Sequence, residues 1–270
     1  MESSETKGAF ITKNPEEIYK SDKAPIMDTM FSLTSQESIT FNPEITTSTE
    51  PLLKGDWKDS KLLLPFRGFF KDSYPEEYKN AIDLLTDAYF NDTTNDDAIK
   101  RANIGLLSDS SFGYGILKAA RYQVIANNKE TRKNTFLLRF GVDTALNIYK
   151  VTYQLDFDGM AHGEELCFIF RCRFLDSYKL YENLLQVSDD SNVNYRAIKR
   201  MVNIITNFAR IGNPSVKGDT PFKSLSSPDE MFSQDITNDP KTSLVTNIMD
   251  QHNKIWDILL RNVINQLWII

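Results

Sequence analysis

The chain has 270 residues, 41% hydrophobic and 25% charged, enough apolar side chains for one large domain or two small ones. Its 31 basic and 37 acidic residues give a net charge of −6 with no Lys/Arg block, which argues against nucleic acid as a partner. No stretch approaches the ~18 consecutive apolar residues of a membrane span, and the opening MESSETKGAFITKNPEEIYK lacks the basic head and apolar run of a signal peptide. As written, the chain reads as cytoplasmic, and as secreted if its amino terminus is incomplete.

In chain order, DKAPIMDTMFSLTSQES (residues 22–38) passes from an apolar run into a Ser/Thr loop, which predicts a short strand or extended entry and then a loop carrying Glu37. A helix follows over SYPEEYKNAIDLLTDAYFND. Ser73 and Glu76 are spaced as a capping box, Pro75 fits the first turn, and Tyr78, Ala81, Leu85, Ala88 and Tyr89 share a face. Further helices are predicted from Asp97 to Leu107 and from Tyr114 to Asn127. NTFLLRFGVD then predicts a buried strand from Thr135 to Val142. IYKVTYQLDFDG alternates well enough to be another strand, and EELCFIFRCRF fits strand or helix. The strongest helix is NVNYRAIKRMVNIITNFARIGNPS, with Ala197, Met201, Ile204, Ile205, Phe208 and Ala209 on one face and Gly212 as its stop. Residues 214–240, rich in Pro, Ser, Asp and Thr, read as a surface loop. The tail NKIWDILLRNVINQLWII is an apolar helix that should dock. Strands separated by helical segments predict a parallel sheet, with only two or three strands visible.

The sequence GMAHGEELCFIF holds His162, one of only two histidines. On its residues alone His162 could be a catalytic base, a metal ligand or a turn residue before a buried segment. A zinc reading of His-Gly-Glu-Glu lacks the Pro-Cys-x-x-Cys partner that such a signature requires, so no metal and no cofactor is expected. Cys167 and Cys172, five apart in an apolar stretch, read as buried free thiols rather than a bond or a metal site. His252 reads as a solvent-facing or helix-side residue.

Five stretches taken together resemble the type-B carboxylesterases, the α/β-hydrolases that include cholinesterases and insect esterases. GMAHGEELCFIF resembles the segment around that family's catalytic histidine, and LLSDSSFGYGILKAARYQ its Asp-Ser-x-Phe segment with the following helix. NTFLLRFGVD is similar to the strand before the histidine loop, and MVNIITNFARIGNPS to the late helix ending in Gly-Asn-Pro. AFITKNPEEIYKSDKAPIM and TSQES resemble the region carrying the catalytic acid. Order and rough spacing agree from about Phe10 to Leu267.

The resemblance implies an α/β fold: the C-terminal half of an α/β-hydrolase, few sheet strands with several covering helices, with residues 1–270 forming a partial carboxylesterase type-B domain. It places the triad histidine at His162 and the triad acid at Glu37, in the acid-before-histidine order of α/β-hydrolases. The family usually has Glu-Gly where this chain has Glu37-Ser38. The chain contains no G-x-S-x-G and no Gly-Gly pair, so the nucleophile elbow and the oxyanion donors are absent from these residues. Ser108, Ser110 and Ser111 lack a strand-elbow-helix setting and read as helix capping. Two functions follow from the resemblance. The chain is the acid-and-base part of a serine carboxylesterase, inactive alone and meeting a small-molecule ester only when the missing half is supplied; or it is a non-catalytic esterase-like interaction module. In both, exposed apolar surface points to self-association.

Overall fold

The computed structural model describes residues 6–9, 12–21, 24–41, 43–53, 75–129, 133–176, 179, 181–182, 189–246, 252 and 254–259. Its described residues contain a four-stranded sheet in the order β1 (Thr29–Thr34), β2 (Thr135–Phe140), β3 (Phe232–Ile236), β4 (Ser243–Thr246). β1, β2 and β3 are parallel, and β4 closes the edge antiparallel to β3. The parallel sheet expected from the alternation of strands and helices is present.

β2 is apolar from Phe136 to Leu138 and again at Phe140 because both of its faces are covered. Phe136, Leu138 and Phe140 pack against Met201 and Ile204 of the helix Val193–Ile211, while Leu137 packs with Leu117, Ala120 and Val124 of the helix Tyr114–Asn127. The first of these helices is amphipathic, as its periodicity predicts. Asn192 caps its start by accepting the N–H groups of Asn194 and Tyr195, and Gly212, at φ +68°, ends it. A third apolar cluster lies beneath the acid loop. There Ile39, Ile82, Leu85, Ile104 and Leu106 pack with Trp256 and Leu259, so the described part of the tail helix, residues 254–259, docks as expected. The helix Pro75–Phe90 is present; Ser73 of the predicted capping box lies outside the described residues. The helix Asp96–Ser108 runs into Tyr114–Asn127 through a π-helical turn, Asp109–Gly113.

The structure corrects several expectations. IYKVTYQ is not a strand but the helix Ile148–Tyr153: β2 already has β1 and β3 as neighbours, and the apparent alternation is an i,i+4 pair, Tyr149 stacked on Tyr153 at 6.0 Å. The supposed surface loop 214–240 contains β3, buried throughout. Its polar residues are paired inside. Ser233 donates to Asp235 at 2.5 Å, Asp235 accepts from Arg139 Nε at 2.8 Å, and Gln234 donates to the Pro221 carbonyl at 2.9 Å. EELCFIFRCRF resolves into the short helices Leu166–Ile169 and Arg173–Asp176. Cys167 and Cys172 are not free thiols: they are joined as a disulfide across the turn between these helices, with Cα atoms 5.1 Å apart. Tyr181 reinforces that turn, its hydroxyl donating to the Cys167 carbonyl and accepting the Cys172 N–H.

Gly159 opens the loop that carries His162. It sits at φ +95°, and a Cβ there would lie 2.3 Å from Ser35 Oγ, the hydroxyl that accepts the Met160 N–H. Gly159→Ala is expected to cost about 1–3 kcal/mol in backbone strain alone, with more from the displaced hydroxyl. Denaturant unfolding checks this; a change of only a few tenths of a kcal/mol (well below that strain) would show that the loop has another conformation.

Candidate active site

Two backbone bonds bring the end of β1 to the histidine loop. The Ser35 N–H donates to the Phe140 carbonyl at 2.8 Å, and the Gln36 N–H donates to the Met160 carbonyl at 2.9 Å, forming a parallel bridge between Gln36 and Ala161. The next residue on one side is Glu37, and on the other His162. Their side chains meet: His162 Nδ1 lies 2.6 Å from Glu37 Oε2. Both residues expected from the resemblance are therefore brought together.

Glu37 opens a 3₁₀ turn, Glu37–Thr40, and its side chain is only 4% exposed, far from an ordinary solvated loop glutamate. Its second oxygen, Oε1, accepts the Thr34 backbone N–H at 2.6 Å, so the carboxylate is held from the strand side as well. With a carboxylate at Nδ1, the imidazole carries its proton there and leaves Nε2 as the basic nitrogen. Nε2 makes no hydrogen bond among the described residues, and the His162 side chain is 41% exposed. The geometry supplies a buried acid, an oriented imidazole and an accessible base.

The loops are held by contacts that the sequence did not reveal. Thr40 Oγ1 donates to the His162 carbonyl at 2.9 Å. Phe112, presented by the π-helical turn, stacks on the imidazole with ring centroids 4.3 Å apart, and Phe41 lies 5.8 Å from both rings. The Asp-Ser-x-Phe segment thus covers one face of the histidine. Ser38, where the family usually has glycine, is buried: its hydroxyl donates to the Ile104 carbonyl and its N–H to Ser108 Oγ, both at 3.1 Å. Ser108 is neither a cap nor a nucleophile at an elbow. It anchors the acid loop, while Ser110 donates back to the Leu107 carbonyl. His252 is not merely solvent-facing: it stacks on Tyr89 at 4.0 Å and lies 3.2 Å from Asp109. Among the described residues no group of three or more His, Cys, Asp or Glu could hold a metal ion, and no helix is long and apolar enough to cross a membrane.

The two acids after His162 divide their work. Glu164 folds back into the loop, where it accepts the Ala161 N–H at 2.8 Å, the Tyr149 N–H at 2.7 Å and the Asn147 amide at 2.9 Å. Burial raises its carboxyl above the ordinary value against the pull of those donors. Glu165 lies beside the dyad with Oε2 buried and without a hydrogen-bond partner among the described residues. Burial raises the Glu165 carboxyl too, and the Glu37 charge adds to this; nearby backbone N–H groups and His162 oppose it. A carboxyl raised on folding contributes stability below its unfolded value, near 4.5, and loses it as pH rises through the folded value. Glu165→Gln removes that loss. Its stability relative to the parent chain should therefore grow as pH rises from about 4.5 towards neutrality, with Glu164 keeping a residual slope in both. Thermal melts across this range check it; a difference independent of pH would contradict it.

No curated protein matches the sequence. Many solved chains match it in fold, 119 in all. One is a juvenile hormone esterase from Manduca sexta, solved with OTFP covalently attached. It is similar at a TM-score of 0.60 and 18% identity, over 92% of this chain and 44% of that one. The chain thus spans less than half the length of this neighbour, and the likeness shows the fold: an α/β-hydrolase-like sheet with covering helices. The carboxylesterase family matches over residues 3–256, nearly the whole sequence, and the chain belongs to that family.

Proposed function

We propose that residues 1–270 supply the acid and the base of a serine carboxylesterase site, as a partial type-B domain whose nucleophile comes from outside these residues. The observation that carries this reading is the 2.6 Å contact between buried Glu37 and half-exposed His162, with Nε2 left open. Family membership supports carboxylic esters as the substrate class.

The reaction follows from that arrangement. His162 Nε2 takes the proton of a serine hydroxyl as its oxygen attacks the ester carbonyl, and Glu37 stabilises the imidazolium that forms. The same nitrogen returns the proton to the departing alcohol, leaving an acyl-serine. Water, deprotonated by the same base, then releases the acid and regenerates the serine. The oxyanion of each tetrahedral intermediate needs N–H donors placed by a strand-to-helix elbow. Neither G-x-S-x-G nor a Gly-Gly pair occurs in the chain.

The place for the remaining elements is the outer edge of β1, which pairs with no strand among the described residues and leads directly into the acid loop. Phe41, 61% exposed beside the dyad, adds apolar surface there. Without a partner that edge favours self-association. The Cys167–Cys172 disulfide in the histidine segment favours an oxidising compartment over the cytosol expected from the opening residues.

The test is covalent labelling by an organophosphate probe with a parallel assay on a simple activated ester. The purified chain should take up no stoichiometric label and hydrolyse no faster than a denatured control. Stoichiometric labelling of a serine within residues 1–270, abolished by His162→Ala, would show that the chain holds its own nucleophile.

A further inference from the structure

We propose that a cleft between the helix Val193–Ile211 and the loop after it binds a phosphate group. It shares no residue with the dyad. The cleft has a volume of about 300 Å³ and is lined by Asp190, Arg196, Lys199, Arg200, Lys217 and Asp219, among others. Arg196, Lys199 and Arg200 stand at i, i+3 and i+4, so one helix face turns three cations into the cleft, and Lys217 faces them from the loop.

The two carboxylates do not neutralise this set. Lys199 Nζ holds both oxygens of Asp190, at 3.0 and 3.2 Å. Asp219 Oδ1 is taken by the N–H groups of Thr220 and Thr242, both at 2.7 Å, and by the Thr242 hydroxyl at 3.2 Å; only Oδ2 faces Arg200, 3.2 Å from Nε. Arg196 is fixed by carbonyls, donating to Asp190 O at 2.7 Å and Asn238 O at 2.8 Å, which orients the guanidinium and leaves its charge. Lys217 makes no ion pair among the described residues. Asp239, next to the lining Pro240, also acts on Arg200, so the four cations exceed the carboxylates Asp190, Asp219 and Asp239 by one, in a chain whose net charge is −6.

Arg200 points most directly to a ligand. Its side chain is 6% exposed and pairs with Asp219 only through Nε; its terminal Nη1 and Nη2 make no hydrogen bond among the described residues and are not among the buried polar atoms without a partner, so the fork stays open to the cleft. A buried guanidinium retains its charge at a cost unless its fork is filled. Burial pulls it below the ordinary arginine range and the nearby Arg196 charge adds to that, against Asp219 and Asp239. Two planar forks and an ammonium, with cations in excess of carboxylates, fit the several oxygens of a tetrahedral phosphate better than the two of a carboxylate. The volume leaves room for a small substituent, so inorganic phosphate and a phosphomonoester are both sources of the group.

The experiment is an amide NMR titration of the full chain with sodium phosphate, with glycerol phosphate, and with sodium chloride at matched ionic strength. Saturable shifts at Gly218 and Asn203 are expected in the millimolar range with the phosphates and not with chloride. Tighter binding of glycerol phosphate would identify the monoester as the ligand; equal or weaker binding would identify the free ion. Lys217→Gln, at a position with no ion pair to lose, should weaken binding about tenfold, the effect of one charge-assisted hydrogen bond; Arg196→Gln should do likewise. Equal shifts with chloride, or unchanged affinity in both variants, would overturn the proposal.

Discussion

The backbone bond from Gln36 to Met160 is the constraint on which the site depends. Each of the two loops is short and irregular, and neither would hold a side chain in register alone. Directly after the last β1–β2 bond, Ser35 N–H to the Phe140 carbonyl, the Gln36–Met160 bond pairs the end of β1 with the histidine loop, so the residues that follow it on each side, Glu37 and His162, meet without further adjustment. Ser35 strengthens the join in both directions, donating its N–H to Phe140 and accepting the Met160 N–H at its hydroxyl. The glycine at 159 lets the chain approach that hydroxyl closely.

Around this join the protein concentrates carboxyl groups. Glu37, Glu164 and Glu165 lie within one small region, and only the first two have a full set of donors. Glu37 has a backbone N–H at one oxygen and an imidazole at the other. Glu164 exchanges water for three N–H groups and ties the loop to Asn147 and Tyr149. Glu165 has a buried oxygen with no such donor, and burial makes its ionised form the costly one. Similar residues in adjacent positions thus take different roles according to which N–H groups reach them.

Much of this was legible in the sequence. The long helices and β2 follow from apolar period, and the dyad residues from the resemblance of their flanking segments. β3 was hidden because Phe-Ser-Gln-Asp-Ile is polar by composition, and its burial depends on partners far along the chain, Arg139 and Pro221. The disulfide was hidden because two cysteines in an apolar run read as buried free thiols until the chain turns between them. Ser38 was visible only as a departure from Glu-Gly. Its meaning lies in the Ser108 hydroxyl, which accepts its N–H, and the Ile104 carbonyl, which accepts its hydroxyl. Phe112 was visible within a motif, but its contact with His162 requires a π-helical turn that no local pattern announces.

The proposed function depends on the preformed pair of Glu37 and His162 in a chain whose sequence has no G-x-S-x-G. The most direct measurement is the far-downfield proton spectrum of the chain alone, where an imidazole Nδ1–H held against a carboxylate resonates apart from other protons. The account predicts a protected resonance of this kind that disappears in both His162→Ala and Glu37→Gln while the amide spectrum of each variant remains folded. A spectrum without it, or a resonance that persists in either variant, would contradict the pairing of Glu37 with His162.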